Sequence, residues 1–223
     1  MNNNDELAAR KSVIITGSNR GLGLEIARAA CKENYFYYGI SKWNDLDVSD
    51  CFSLTEFFSN LNETEHVLFP SAIINNAGVC IPGNILEFKQ DHFSSQFETN
   101  VLGVLNCSQL YTQLCIKNKI PGKIINIAST AGMSARPGRS IYAATKAAVI
   151  NLSLSMAQEL KEYGIKVYCL CPGAFDSDLR RAIAPDDNFE KMLKPSEIAK
   201  FIMDKIIKDE GSFLDNQIIY IRR

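Results

Sequence analysis

Tyr142 and Lys146 stand four residues apart in Tyr142-Ala143-Ala144-Thr145-Lys146, inside a stretch whose periodicity predicts a helix, so both side chains share one face. A phenol titrates near pH ~10 and is a poor acid or base at neutrality, and a neighbouring ammonium favours its ionised form. Ser129 closes the apolar run Lys123 to Ala128 (KIINIA), and a hydroxyl at that strand end can hydrogen-bond a substrate oxygen. A phenol, an ammonium and a hydroxyl can together move a proton on or off oxygen and hold a developing oxyanion. Interconversion of a carbonyl and an alcohol needs that service once a hydride reaches carbon.

A hydride needs a carrier, and Thr16-Gly17-Ser18-Asn19-Arg20-Gly21-Leu22-Gly23 offers a place for one. These residues follow a predicted strand and open a predicted helix. Glycine here lets the turn tighten and a pyrophosphate approach the backbone, with helix N–H groups facing the anion. The spacing G-x-x-x-G-x-G differs from the G-x-G-x-x-G of Rossmann dehydrogenases, and such a turn alone also serves simply to pack a helix on a strand.

The elements that must position these residues alternate throughout. Predicted strands are Ser12 to Thr16, Tyr35 to Ile40, a very short Leu46 to Val48, Ser71 to Asn75, Lys123 to Ala128, Ile165 to Leu170 and Gln217 to Ile221. Predicted helices are Leu22 to Cys31, Phe52 to Leu61, one unbroken helix from Asp91 to Lys117, Ser140 to Tyr163 capped by Gly164, and Lys194 to Lys208 entered through Pro195. This is the pattern of an α/β fold, a Rossmann-like doubly wound parallel sheet of about seven strands with helices on both faces. With 223 residues, 46% of them hydrophobic, residues 1–223 are expected to form a single domain with one core and a flexible lead-in over residues 1–11.

Charge narrows the partners. The 24 basic and 25 acidic residues leave a net charge of −1, so no global field draws in nucleic acid or an anionic membrane, and a small molecule is the expected partner. The start of the chain has no apolar stretch of signal-peptide length and no apolar run reaches membrane-spanning length, which makes a cytoplasmic enzyme the expectation. Seven scattered cysteines read as reduced core filler, with Cys169 and Cys171 on one face of a strand, and no metal site is expected. His66 and His92 fall in no ligand or nucleophile pattern and are expected at the surface or as caps.

The glycine spacing, Asn75-Asn76-Ala77-Gly78, the Y-x-x-x-K at Tyr142 and Lys146, Ser129 thirteen residues before Tyr142, Asn100 in Thr99-Asn100-Val101, and Cys171-Pro172-Gly173 with Ser177 stand in one order along nearly the whole chain. In that order they resemble the short-chain dehydrogenase/reductase family. The resemblance implies an NAD(P)-dependent carbonyl reductase or alcohol dehydrogenase. It makes Asn100, Ser129, Tyr142 and Lys146 the catalytic set, with Asn100 holding a water that links Lys146 to solvent and Lys146 also bonding the nicotinamide ribose. It places Thr16 to Gly23 at the pyrophosphate, Asn76, Ala77 and Gly78 near the adenine ribose, Asp47 and Val48 at the adenine, and Pro172, Gly173 and Ser177 at the nicotinamide. A catalytically silent dinucleotide sensor on the same fold is the alternative, since fold does not fix function.

Cofactor choice rests on Gly39 to Asp50 (GISKWNDLDVSD). An acidic residue after the second strand would bond a ribose 2′-hydroxyl, whereas basic residues would accept the 2′-phosphate. The chain offers Ser41 and Lys42 there, with Arg20 as a second cation, so NADP(H) is expected over NAD(H). The opposite outcome has Asp45 bending back to the ribose. Trp43 is expected either to stack on adenine or to cover the shortened connection, and Asp176 and Asp178 to face solvent or start a helix. The short span from Ser177 to Pro195 implies an open site or one closed by a partner subunit. By the same resemblance the two long helices imply a homodimer, with a homotetramer less secure because the C-terminus, IIYIRR, departs from the family.

Overall fold

The computed structural model describes residues 11–63, 68–208 and 218–221. Ser12 to Thr16 form strand β1 (Ser12–Thr16), every residue of it buried, because helices cover both faces of its sheet. Around it lie α1 (Gly21–Lys32), β2 (Phe36–Ile40), α2 (Cys51–Glu63), β3 (Pro70–Asn75), α3 (Gln90–Phe97), α4 (Gly103–Asn118), β4 (Gly122–Ile127), α5 (Ser140–Glu159), β5 (Ile165–Pro172), α6 (Asp178–Ile183), α7 (Pro195–Ile202) and β6 (Ile218–Ile221). The strands pair in the order β2-β1-β3-β4-β5-β6, all parallel.

Alternation along each strand sorts the core. Val13, Ile15, Ala72, Ile74 and Ile125 face Leu22 and Ile26 of α1 and Ile198 and Ile202 of α7. Ile14, Ile73 and Ile124 face the other way, onto Leu54 and Phe58 of α2, Tyr111 and Leu114 of α4 and Met156 of α5. Each such isoleucine at or near zero exposure contributes about 1.5–3 kcal/mol by leaving water. A buried polar chain then ties the two long helices to the sheet centre. Asn75 Nδ2 donates to Asn126 Oδ1 (2.8 Å) and to Ser108 Oγ on α4 (2.9 Å), while Asn126 Nδ2 donates to Ser153 Oγ on α5 (2.9 Å). The helix that carries Tyr142 and Lys146 is thereby fixed against β4.

The sheet has six strands among the described residues, and the expected short strand at Leu46 to Val48 is absent. After β2 the chain makes a 3₁₀ turn (Lys42–Asn44) and reverses at Asp45, whose φ is +57°. The segment then runs over the helix layer. Val48 is buried beside Gly103, and its carbonyl accepts from Asn106 Nδ2 at 3.1 Å, so its hydrogen bonding goes to α4 instead of a strand edge. The expected unbroken helix from Asp91 to Lys117 is interrupted by a π-helical stretch, Glu98–Leu102. The last long helix likewise passes from α7 into a π turn at Met203–Ile207. Ser140 to Tyr163 splits into α5 and a 3₁₀ turn that ends on Gly164 in the left-handed region, φ +69°. Five cysteines are buried and Cys31 and Cys51 are exposed; Cys169 and Cys171 share one core cluster. Most of the N-terminal lead-in, His66 and Gln217 lie outside the described residues. No helix among the described residues is long and apolar enough to cross a membrane.

Candidate active site

β1 and β3 are neighbours, yet the chain leaves β1 toward β2 on one side and returns to β3 on the other, and a crevice opens at the strand ends where that order reverses. A cleft of about 550 Å³ occupies this position. At its floor Gly17 turns with φ +65°, and a side chain on Gly23 would place its Cβ 2.1 Å from the Gly17 carbonyl oxygen, so α1 approaches the turn as only glycine allows. The turn is clasped from β3. Thr16 Oγ1 accepts from the backbone N–H of Asn76 and of Ala77 (2.9 Å each), and Asn76 Nδ2 donates to the carbonyls of Thr16 (3.0 Å) and Gly17 (3.2 Å). The start of α1 has no side-chain cap and no acidic residue in its first turn, so it presents its N–H groups and positive dipole end to an anion.

Gly17, Asn19, Arg20, Gly21, Leu22, Asn76, Ala77 and Gly78 line the cleft. Thr16, Ser18 and Gly23 are buried beneath it and shape the turn. These residues fit a dinucleotide pyrophosphate.

At the β2 end, Ser41 Oγ accepts from Asn19 Nδ2 (2.7 Å) and donates to Asn44 Oδ1 (2.8 Å), so the segment after β2 is locked to the glycine turn. Ser41, Lys42, Asp47 and Val48 line the cleft with Trp43, which is 80% exposed. Lys42 Nζ lies 2.7 Å from Asp47 Oδ2. Burial opposes ionisation of Asp47, but hydrogen bonds from Lys42 and Ser49 outweigh it and hold the carboxyl below its ordinary value. Arg20 is exposed and makes no ion pair among the described residues.

Tyr142 and Lys146 rise from α5 into the middle of the cleft, and Ser129 faces them from the end of β4. Ser129 shares the cleft lining with Tyr142 and favours ionisation of its phenol, and the Ser129 Oγ accepts from Ala131 N at 3.1 Å. The 3₁₀ turn after Ser129 (Thr130–Met133) sits directly on α5. A Cβ on Gly132 would fall 2.6 Å from Lys146 C and Ala147 N, so this glycine permits the approach that brings Ser129 to Tyr142.

Lys146 Nζ donates to the Ile127 carbonyl (2.8 Å) and stands 5.8 Å from the Tyr142 ring centroid. The expected lowering of the phenol by Lys146 does not dominate. Burial pushes Tyr142 up to about 12, with Cys80 adding to it and Ser129 and Arg139 opposing. Burial brings Lys146 down to about 8.

Asn100 is fully buried inside the π stretch. Its Oδ1 accepts from Val79 N (2.8 Å), and its Nδ2 donates to the Val79 carbonyl (2.9 Å) and to Thr145 Oγ1 (3.0 Å), which in turn donates to the Tyr142 carbonyl (2.7 Å). Its amide clasps the Val79 backbone to the helix of Tyr142, and Asn100 does not line the cleft. Thr145 and Gly132 are the positioning residues that the pattern of motifs passes over, because a threonine and a glycine in such a stretch carry no spacing signature.

The far end is covered by residues 174–193. Pro172, Gly173 and Ser177 line the cleft; Ser177 Oγ accepts from Arg180 N (3.1 Å) and starts α6, and no acceptor among the described residues takes its proton. Asp176, expected to face solvent or start a helix, instead binds both Arg181 (2.7 Å) and Lys194 (3.1 Å), and these bonds hold its carboxyl below its ordinary value. Arg181 stacks over Phe189 and Arg180 pairs with Asp187. Asp178, Leu179, Arg180 and Ile183 from this cover, and Arg136 and Arg139 from the segment leading into α5, also line it.

The model of the short chain dehydrogenase family matches residues 45–188. The 3-oxoacyl-[acyl-carrier-protein] reductase FabG of Staphylococcus aureus is 31% identical over 223 aligned positions, covering 92% of this chain and 90% of that protein. Oxidoreductase UcpA of Salmonella typhimurium is 33% identical, covering 86% and 80%. Among solved structures, ElxO with NADP bound superposes with a TM-score of 0.83 at 26% identity, covering 95% of this chain and 96% of that one. 4-Hydroxyisoleucine dehydrogenase complexed with NADH gives 0.83 at 25%, with the same coverage. The matched span contains Asn76, Asn100, Ser129, Tyr142, Lys146 and Ser177. By its fold, its cleft and these relatives, the chain belongs to the short-chain dehydrogenase family and is an oxidoreductase of the NAD(P)-binding Rossmann type.

Proposed function

We propose that the chain is an NADP(H)-dependent oxidoreductase that interconverts a carbonyl and an alcohol on a small molecule, with Tyr142 moving the proton. The convergence of Ser129, Tyr142 and Lys146 at the middle of a cleft whose floor suits a pyrophosphate carries the reading. When bound, the nicotinamide supplies or takes the hydride. Ser129 holds the substrate oxygen by hydrogen bond, and the phenol donates its proton to that oxygen as negative charge develops there. With Tyr142 pushed up to about 12, the phenol stays protonated across the neutral range, which primes the reductive direction. The Lys146 ammonium, held by the Ile127 carbonyl, stabilises the phenolate left behind.

Two features favour NADP(H). Asp45, the carboxylate that would have to bend back to a 2′-hydroxyl, does not line the cleft, and Asp47 is taken up by Lys42 and Ser49. Arg20 lines the cleft and makes no ion pair among the described residues. An exposed pair such as Lys42 with Asp47 is worth only about 0–1 kcal/mol, so a phosphate dianion can recruit Lys42 from it. Exposed Leu105, Ile116 and Leu154 on α4 and α5 support a homodimer through these helices.

Tyr142→Phe tests the chemistry: carbonyl-dependent NADPH oxidation is expected to fall by about 10²–10⁴-fold with cofactor binding, followed by fluorescence, intact. Undiminished turnover overturns the mechanism, and cofactor binding by the wild type with no turnover of any carbonyl supports a sensor instead. Arg20→Ala combined with Lys42→Ala is expected to raise KM for NADPH roughly 10–100-fold more than KM for NADH. Equal losses for the two cofactors overturn the preference.

A further inference from the structure

Beyond Ser129 the cleft carries more positive charge than proton transfer requires. Arg136 and Arg139 line it and form no ion pair among the described residues, whereas Arg180, which also lines it, is matched by Asp187. Asp178 is the carboxylate in the lining at this end. Arg139 is the residue immediately before α5, three positions ahead of Tyr142, and its carbonyl accepts from Ala143 N at 2.9 Å. Arg136 is tied to it, its carbonyl accepting from Arg139 N at 2.9 Å. A second loop braces the pair from below, where Gly83 N donates to the Gly138 carbonyl at 2.9 Å. Both guanidinium groups therefore spring from a backbone fixed relative to the phenol. The charge of Arg139 is felt at Tyr142, and the charges of Arg139 and Arg180 at Cys80.

These arginines have no evident work on the cofactor. The pyrophosphate cradle lies at Gly17 to Gly23, the cations suited to a 2′-phosphate are Arg20 and Lys42, and both sets sit on the other side of Ser129, toward β1 and β2. Two guanidinium groups left without a protein anion in a partly enclosed cleft call for an anion from outside, and their planar fork suits a carboxylate or a phosphate.

We infer that the substrate of this enzyme carries an anionic group, a carboxylate or a phosphate, close to its reacting carbonyl, and that Arg139 and Arg136 bind that group while Tyr142 and Ser129 address the oxygen. The inference rests on the carbonyl-reducing reading above and makes it more specific: neutral ketones and aldehydes are poor substrates, and oxo acids or phosphorylated hydroxyketones are good ones. Arg180, held by Asp187 on the cover, adds its charge to the same lining.

The test compares kcat/KM with NADPH for 2-oxo and 3-oxo acids of four to six carbons, for their methyl esters, and for dihydroxyacetone phosphate beside dihydroxyacetone, in the wild type and in Arg136→Gln/Arg139→Gln. The wild type is expected to prefer the charged member of a pair by about 10–100-fold, the size of one or two charge-assisted hydrogen bonds, and the variant to bring that ratio close to one. Preference confined to the oxo acids assigns the carboxylate, and preference confined to the phosphorylated ketone assigns the phosphate. Esters reduced as well as acids, or a ratio that survives in the variant, overturn the anion site and leave carbonyl reduction standing. If no carbonyl compound is turned over, the proposed function fails, and calorimetry of the same acids and phosphate ester with the cofactor-loaded protein decides the anion site separately. Binding lost in the variant supports it, and no binding by the wild type overturns it. Arg139→Lys, which keeps the charge but not the fork, is expected to retain part of the preference.

Discussion

The two ends of the cleft are held by different kinds of bond. At the β1 end, uncharged and partly buried groups clasp the backbone: Thr16 and Asn76 satisfy each other's main chain across two strands, and Asn19 ties Ser41 to the same turn. At the β5 end, the cover is fastened by ion pairs that reach the surface, Asp176 with the half-exposed Arg181 and Lys194, and the partly buried Arg180 with Asp187. Between them lies a floor where a lysine is buried and its charge disfavoured. A turn that fits a pyrophosphate suits a rigid seat, whereas ion pairs that reach the surface leave the other end of the cleft able to loosen.

The largest expected effect comes from breaking the rigid seat. Gly23→Ala would force a methyl group to within 2.1 Å of the Gly17 carbonyl oxygen, and both partners are backbone within a clasped turn. Overpacking of this severity is expected to cost about 3 kcal/mol or more, or to open the turn. Either way cofactor affinity falls by more than about 100-fold, measured by fluorescence titration, and thermal unfolding shows a lower Tm. A Tm and cofactor affinity equal to wild type would mean that the turn is as yielding as the cover.

An intermediate effect of opposite sign belongs to the floor. Lys146 in the folded chain titrates near 8 against an ordinary 10.5, so between those values the unfolded chain binds more protons. Stability contributed by this group therefore rises as pH climbs from about 8 to 10.5, and its penalty is present in full below pH 8. Tyr142, raised to about 12, contributes the reverse above pH 10 but is common to both proteins in the comparison. Lys146→Met removes the buried charge and leaves the Ile127 carbonyl without its donor, for a net gain of about 2 kcal/mol at pH 7 in the cofactor-free protein. The gain in Tm is expected to shrink toward pH 10.5 while turnover is lost at every pH. A Tm difference independent of pH would sink this account of Lys146.

The same contrast explains what the sequence made legible. The glycine turn, Asn75 to Gly78 and the Tyr142–Lys146 pair were visible because close backbone approach and helical spacing restrict residue type locally. Leu46 to Val48 looked like a strand because an apolar alternation says nothing about whether a sheet edge is available to pair with. The π stretch around Asn100 was invisible because one inserted residue leaves a 27-residue helical pattern almost unchanged. The elevation of Tyr142 depends on what covers it, a property of packing that no four-residue spacing records. Arg136 and Arg139 carry no signal in the sequence, since an arginine without a partner is recognisable only when the surrounding carboxylates are placed in space.

The smallest expected effect is at the cover, and salt is the variable that sharpens it. Asp176→Asn removes the anion shared by Arg181 and Lys194, both of which are about half exposed, so the fold is expected to keep its Tm nearly unchanged. The Phe175–Leu193 bridge and the hydrogen bond from Asp176 N to the Leu193 carbonyl do not use the carboxylate and hold the two sides of the cover together without it. What loosens is the placement of Arg181 over Phe189 and of the Lys194 chain end, and with them the closure of Leu179, Arg180 and Ile183 over the cleft. KM for the substrate is therefore expected to rise a few-fold, and KM for the cofactor, whose nicotinamide end alone meets the cover at Ser177, to change less. Because ion pairs that reach the surface are screened while the uncharged hydrogen bonds at Thr16 and Asn76 are not, the wild-type KM should climb toward that of the variant as ionic strength increases. A variant whose cofactor KM shifts as much as its substrate KM would show that the two ends do not move independently.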